Sequence, residues 1–508
     1  MTHKVVHGVK HIVKLDDKHD DKHDDKHEDK HNVKHNVKHI VKPSYIGCGL
    51  LTLIAVIIMA ARPFSANLSD TAQFMLGGVI IALCIWIFKP FNLSYSAGGL
   101  FLACFALALG LKPGVVFSGF TQSSIWTLVP ALFFGFTLQK TGLGKRIALA
   151  IIRLFKPSYI SLVFAWVIIG VILSLLTPSS TVRVAIMIPI AVQCCELCKL
   201  EKGSKGNSLI LLTAFGMAIL PGSGWMSGVL WGPIISGMIN SAPQTQGLVT
   251  VSNWFSTLFV PITITTILLI AGSLIVLKPK EKLSTDAIDS IKSMPAQKLS
   301  RHEIIAGFIL IAVFILFLTN RAHGLPDAAV CLAAVFLFFL SGVLEAKDFN
   351  TGVNWDLIVF IAMALSFGAI FTETGISGWL AGIVVPALAP IAGNPFLFMF
   401  CVMAFVFLWR FFDVALFIPT IAILAPVLPS IQEAYNISPL VWLFVFVMAG
   451  NSFVMAYQNM WAMMSRSIAG ERAFTNTHLG IYGVIYFAAS FIALLAAIPM
   501  WINFGLFG

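Results

Sequence analysis

Charge is what this sequence has least of. Asp, Glu, Lys and Arg make up 11% of its 508 residues against 58% hydrophobic ones, and its mean hydropathy is +0.89. That excludes an ordinary soluble domain, in which about a quarter of residues are charged. The polar/apolar alternation of a membrane β-barrel is missing too. A cleavable signal peptide is not expected, because the first forty-odd residues are polar, and their acidic residues argue against an organellar transit peptide. The eight cysteines give no disulfide framework: Cys48, Cys84, Cys104, Cys331 and Cys401 are scattered through apolar helices, where cysteine packs as a small hydrophobe. Cys194, Cys195 and Cys198 have a C-x-x-C spacing that suits a soft metal. With no second pair nearby, packing at a helix end is the preferred reading. Histidine is scarce outside the N-terminal tail, where only His302, His323 and His478 occur. A buried base for a serine nucleophile is therefore not evident, and Ser223 in PGSG leaves an intramembrane serine hydrolase as a remote alternative.

What is present, from Tyr45 onward, is a series of apolar blocks roughly 16–25 residues long, read as membrane helices because a chain in lipid must satisfy its own backbone hydrogen bonds. The expected spans are 45–61, 73–88, 95–111, 123–139, a paired block 158–195, a broken span 207–240, and 253–277. The second half offers 303–319, 327–343, 357–373, a paired block 394–430, a broken span 440–470, and 480–503. If each paired block returns to the side it came from, the N-terminus is cytoplasmic. Outside the tail there are 23 Lys and Arg, and 18 then fall in inner loops. Arg62, Lys112 and Arg321 lie outside, and Arg183 and Arg410 stay within the membrane.

Residues 1–42 differ in kind. They hold nine of the twelve histidines, and His19, His23, His27, His31, His35 and His39 recur every fourth residue. The segment reads as a solvated, disordered cytoplasmic arm. Its spacing also suits weak Zn²⁺, Ni²⁺ or Cu²⁺ binding, and protonation below about pH 6.5 would draw it to anionic lipid.

An internal repeat runs through the rest. QKTGLGKRIA at 139–148 aligns with TETGISGWLA at 372–381, an offset of 233. The same offset lays PGSG at 221–224 on VMAY at 454–457, Gly237 on Gly470, and Ser180 on Asp413. Each half, roughly 73–277 and 303–508, then has five crossings and one paired block. An odd number of crossings inverts the second copy. Inverted repeats with broken helices at the midplane are an architecture of secondary transporters.

An arginine near the bilayer centre costs about 2.5–3.5 kcal/mol on insertion scales, so Arg183 marks a functional site. In TPSSTVR, 177–183, a helix starting at Ser180 with Ser179 or Ser180 as its cap points unpaired N–H groups and a positive dipole end inward. Arg183 adds a fork suited to carboxylate or sulfate; the alternatives are snorkelling or a pair with Glu196. Thr181 joins Ser179 and Ser180 as a substrate candidate, with Arg410, Tyr457, Gln458 and Asn459 from the second half. Gly222, Ser223, Gly224, Asn451 and Ser452, at the two breaks, are candidate cation ligands with Ser179 and Asp413; the alternative is two kinks whose groups satisfy one another. Asp413 would otherwise cap the second hairpin's helix, and Arg410 would otherwise pair with it at i, i+3. An anion site needs no cofactor, a Na⁺ or H⁺ coupling ion is open, and nucleic acid is not an expected partner.

LFFGFTLQKTGLGKRIALAIIRLF, TPSSTVRVAIMIPIA and AYQNMW at 456–461 resemble the divalent anion–sodium symporter family. TPSSTVR is similar to the TPSNTAR form of its citrate and dicarboxylate antiporter branch, with Ser180 where the asparagine stands. The resemblance implies an all-α membrane protein of about 11 transmembrane helices plus two re-entrant hairpins, working as an elevator. On that pattern 43–156 and 303–393 form the scaffold, 157–277 and 394–508 the transport domain, and 278–302 a cytoplasmic linker. It also implies a homodimer in the cytoplasmic membrane carrying small divalent or trivalent anions, dicarboxylate or citrate in type, with sulfate as the alternative.

Overall fold

The computed structural model describes residues 43–156, 158–279, 283, 298–413, 417–470 and 474–507. The histidine-rich tail, most of the 278–302 linker and residues 414–416 of the second hairpin tip lie outside the described residues. Residues 43–508 form one compact unit, whose named elements among the described residues are all helices. Eight helices are long and apolar enough to cross a membrane among the described residues, joined by shorter apolar ones.

Hydroxyl and amide caps mark where these helices begin. Ser69, Ser94, Ser158, Ser179, Ser204, Thr250 and Thr475 each accept a hydrogen bond from a first-turn N–H. Ser300 goes further and shares a reciprocal capping box with Glu303. A membrane helix needs this because its first N–H groups have no intrahelical acceptor.

The repeat is carried by the elements themselves. Asp70–Phe88, Tyr95–Ala108 and Ser123–Thr141 recur as Arg301–Leu318, Asp327–Leu340 and Trp355–Thr374. Gly142 and Gly375, one offset apart, close the third element of each set in the left-handed region, at φ 81° and 77°. The packing respects a two-fold: Tyr95–Ala108 lies on Trp355–Leu365, and its image, Asp327–Leu340, lies on Ser123–Thr141. The last long helices of the two halves, Val251–Val276 and Asn476–Asn503, pack on each other.

Four sequence expectations are corrected. The span 357–373 is two helices, Trp355–Leu365 and Phe367–Thr374, because the 118–121 turn presses into it: Gly119 N donates to Ser366 Oγ at 3.0 Å, and a Cβ on Gly119 would stand 1.9 Å from the Ala362 carbonyl. The second leg of the second paired block breaks at 425–427, where Pro426 and Pro429 withhold N–H groups, giving Ile418–Leu424 and Leu428–Tyr435. The stretches left between the expected spans after Thr141 and Thr374 are helices, Leu143–Arg153 and Ile376–Ala392. Gly237 sits inside Trp231–Ile239, whereas Gly470 ends Met460–Ala469 at φ 87°, so that repeat match does not extend to structure. A further surprise is that Cys48 and Cys84, read as scattered, meet.

Candidate functional site: two hairpin tips and two helix breaks

Tyr159–Leu176 and Ser180–Leu197 form the first hairpin, turning at Thr177–Ser179. Ser179 is the cap and accepts from Val182 N at 3.3 Å. Arg183, in the first turn, is fully buried, and its guanidinium turns inward. Nε donates to Ala218 O at 2.6 Å, Nη1 to Thr177 O at 2.6 Å and Gly228 O at 2.8 Å, and Nη2 to Ser180 Oγ at 2.9 Å. Four of its five N–H groups are thus committed to protein. Glu196, the partner considered from sequence, is exposed at the far end of the same helix.

The three carbonyls have a common origin. Ala218 is in the last turn of Lys205–Ile219, where that helix stops in the core and points the negative end of its dipole inward. Gly228 belongs to the break before Trp231–Ile239, and Thr177 ends the first hairpin leg. Arg183 is the cation that neutralises these converging ends.

The second half repeats the arrangement. Pro395–Trp409 ends at Arg410, also fully buried. Its Nε donates to Ala449 O at 2.9 Å and Ser452 Oγ at 3.3 Å, Nη1 to the Asp413 carbonyl, and Nη2 to the Gln458 carbonyl. Ala449 lies in the last turn of Trp442–Gly450, and Gln458 in the break before Met460–Ala469. Arg410 therefore meets Asp413 through the main chain, while the Asp413 carboxylate accepts from Thr420 Oγ1, which accepts in turn from Trp409 Nε1 at 2.9 Å. Asp413 is not the cap of the second leg: that helix begins at Ile418, with Phe417 at the cap position and φ 62°. The offset that pairs Asp413 with Ser180 fails at the tip.

The candidate cation ligands are bonded to one another. Asn451 Oδ1 accepts from Trp231 Nε1 at 3.0 Å, and its Nδ2 donates to Ser223 Oγ at 3.1 Å. The Ser223 carbonyl accepts from Trp254 Nε1 at 3.1 Å, and Ser452 Oγ donates to Ala449 O at 2.8 Å. Gly222 and Gly224 are buried, and Gly222 is held to glycine because a Cβ would meet the Gly228 carbonyl at 2.3 Å. These contacts tie the first break to the second.

The substrate candidates divide. Ser179, Ser180, Gln458 and Asn459 are buried, whereas Thr181 and Tyr457 are exposed. Trp461 Nε1 donates to Thr181 Oγ1 at 3.1 Å and joins the first hairpin tip to the second break. Asn459 caps Met460–Ala469, accepting from Trp461 N and Ala462 N. Tyr457 reaches the Phe411 carbonyl at 3.3 Å. Gln458 Oε1 accepts from Met455 N, but its buried Nε2 donor has no partner among the described residues. Trp231, Trp254, Trp461 and Thr420 were missed from sequence; the signal was indole and hydroxyl donors near the breaks and tips, where carbonyls need them.

A cavity of about 550 Å³, walled by Gln122, Ser124, Thr127, Ser236 and Asn240, adjoins one of about 1010 Å³ at Trp225, Asn253 and Asp327. A small pocket sharing Thr127 and Ser227 with them reaches Thr177 and Pro178 at the first tip.

Comparison with known proteins gives consistent matches. The model of the sodium:sulfate symporter transmembrane region matches residues 46–505. Dicarboxylate transporter 1 of Arabidopsis thaliana chloroplasts is 24% identical over 293 residues, covering 56% of this chain and 52% of its own length. The citrate/succinate antiporter of Escherichia coli strain K12 is 27% identical over 292 residues, 52% of this chain and 55% of its own. These alignments thus span only about half of those relatives. The YdaH transporter of Alcanivorax borkumensis shares the fold, with a TM-score of 0.51 at 17% identity over 79% of this chain and 90% of its own.

Proposed function

From a chain that belongs to the sodium:sulfate symporter family, we propose a secondary transporter that exchanges small divalent or trivalent carboxylates without a bound sodium ion. The observation that carries this is the pair of buried guanidiniums, each held by three main-chain carbonyls where a broken helix and a hairpin end converge. Half-helix C-termini and unwound carbonyls are the groups that hold Na⁺ in transporters of this architecture. Here Arg183 and Arg410 supply the positive charge permanently, and the side chains of Ser223, Asn451 and Ser452 are taken up by protein partners. A fixed cation cannot be released with each cycle, which favours exchange over symport.

On this reading the arginines act on the anion through field rather than contact. The contacts would come from Thr181, Tyr457 and the Nε2 of Gln458, which has no partner among the described residues, while the hydroxyl- and amide-lined cavity lies beside the small pocket that reaches Thr177 at the first tip. The transport domain would be 157–277 with 394–508, moving against a dimeric scaffold of 43–156 with 303–393, the N-terminus in the cytoplasm. Relatives named for dicarboxylate and citrate/succinate support the substrate class.

The test is counterflow in proteoliposomes loaded with succinate, with K⁺ replacing Na⁺. Uptake of labelled succinate or citrate should be equal in both salts; strict Na⁺ dependence would overturn the proposal. Acid-driven uptake lost in Asp413→Asn would assign the coupling to a proton instead. Sulfate is the second reading, favoured by Ser180 at the tip position of the larger asparagine, and competition by sulfate against succinate decides between them.

A further inference from the structure

We propose that Cys48 and Cys84 are a dithiol that a lipid-soluble quinone closes to an intrachain disulfide. Their sulfurs stand 2.7 Å apart, close to the roughly 2.05 Å of a formed S–S bond. The approach is built into the packing of Pro43–Ala61 against Asp70–Phe88. On one side of the pair, Gly47 lets the helices close, since a Cβ there would stand 2.6 Å from the Phe88 ring. On the other side Gly77 does the same against Met59, 2.5 Å away, and the Ala55 carbonyl. Two small residues flanking one sulfur pair hold the register in which the thiols face each other. Cys84 Sγ also lies 3.5 Å from the Cys48 carbonyl and 3.9 Å from Thr52 Oγ1, so the pocket around it is complete.

Access decides which oxidant applies. Cys84 is 1% exposed, and Cys48 is half-buried. Around Cys48 the first helix presents Ile46, Leu50, Leu53, Ile54 and Ile57 outward, a surface for lipid rather than water. A water-soluble disulfide is poorly placed to reach such a thiol, and a membrane quinone is well placed. In the step both S–H bonds break and one S–S bond forms. The two electrons and two protons pass to the quinone, which leaves as quinol. The bond would fasten the first helix, which stands outside both repeats, to the first helix of the repeat.

The full-length protein in liposomes is treated with decylubiquinone or with copper(II)–phenanthroline, denatured, and its remaining thiols counted by maleimide–polyethylene glycol gel shift. Of eight thiols, two should be lost with either oxidant, and peptide mass mapping should join Cys48 to Cys84. Cys48→Ala and Cys84→Ser should lose none, whereas Cys104→Ala should lose two. Eight thiols surviving both oxidants would overturn the pair. Loss persisting in Cys48→Ala would assign it to Cys194, Cys195 and Cys198 instead, and loss with copper alone would overturn the quinone route.

Discussion

Arg183 stands on the second leg of its hairpin, past the turn, whereas Arg410 closes the first leg of the other. The repeat offset carries Arg183 to Leu416 and never to Arg410. Yet each guanidinium gathers the same three kinds of carbonyl: one from the end of a hairpin leg, one from the end of a half-helix, one from the break beyond it. The two halves thus keep a charge at an equivalent place in space while supplying it from different places in sequence. What such a site requires is positive charge at the converging helix ends, which a cationic side chain can provide from more than one position in the sequence.

Breaking either staple should have the largest effect. Arg183→Leu or Arg410→Leu strands three buried carbonyls, at about 1–3 kcal/mol each, so counterflow should vanish and folded yield should fall. Arg183→Ala and Arg410→Ala sharpen the comparison. Each leaves carbonyls around a small void, and Na⁺ should restore part of the lost flux if the arginine stood in for a cation. Restoration at one site and not the other would show that the halves differ in function as well as in origin.

The bonds that link each tip to its surroundings come next. Trp461→Phe removes the donor to Thr181 and should raise KM about fivefold, the equivalent of roughly 1 kcal/mol, at unchanged expression. In the second half Trp409→Phe removes the donor to Thr420. Because Trp409 is 42% exposed, its loss should cost less, about twofold. A larger effect at Trp409 would mean that the Asp413 carboxylate, which Thr420 bridges to it, takes part in transport.

Much of this was legible beforehand, and the exceptions have physical causes. Apolar length placed the helices, and Ser179 placed the start of the first hairpin's second leg, because a cap and a hydrophobic run are local signals. The break at Ser366 was not legible, since it depends on Gly119 from 247 residues away. The amphipathic helix Leu143–Arg153 was hidden by its charges, which mark a loop in any reading that counts Lys and Arg. That Arg183 and Arg410 stay within the membrane was legible, but the direction of their bonds was not: a buried arginine reads as a clamp for an anion until the carbonyls that use up its donors are seen.

Ser179→Ala tests the cap and should lower stability by about 1 kcal/mol, read as a small drop in melting temperature. The second hairpin offers no equivalent, because no side chain caps Ile418–Leu424 among the described residues.

The smallest expected effect concerns a lock that only one copy of the repeat possesses. Lys140 Nζ binds Asp348 at 2.5 Å and Glu345 at 3.5 Å, joining the end of Ser123–Thr141 to the Asp348–Thr351 turn. One offset away, Lys140 becomes Glu373 and Asp348 becomes Val115, so the opposite connection lacks it. Burial pushes the Asp348 carboxyl up, but the Lys140 ammonium and the Glu345 N–H at 2.6 Å outweigh it, and the net shift is downward. A carboxyl depressed in the folded state contributes stability that is present in full above its unfolded value, about 3.9. That contribution is lost as pH falls through the folded value. Asp348→Asn should therefore destabilise by about 1 kcal/mol at neutral pH, and the gap in melting temperature between variant and wild type should close on acidification below about pH 4. A gap that stays constant across that range would mean that Asp348 acts through packing and hydrogen bonding alone, and that the charge asymmetry between the two connections carries no energy.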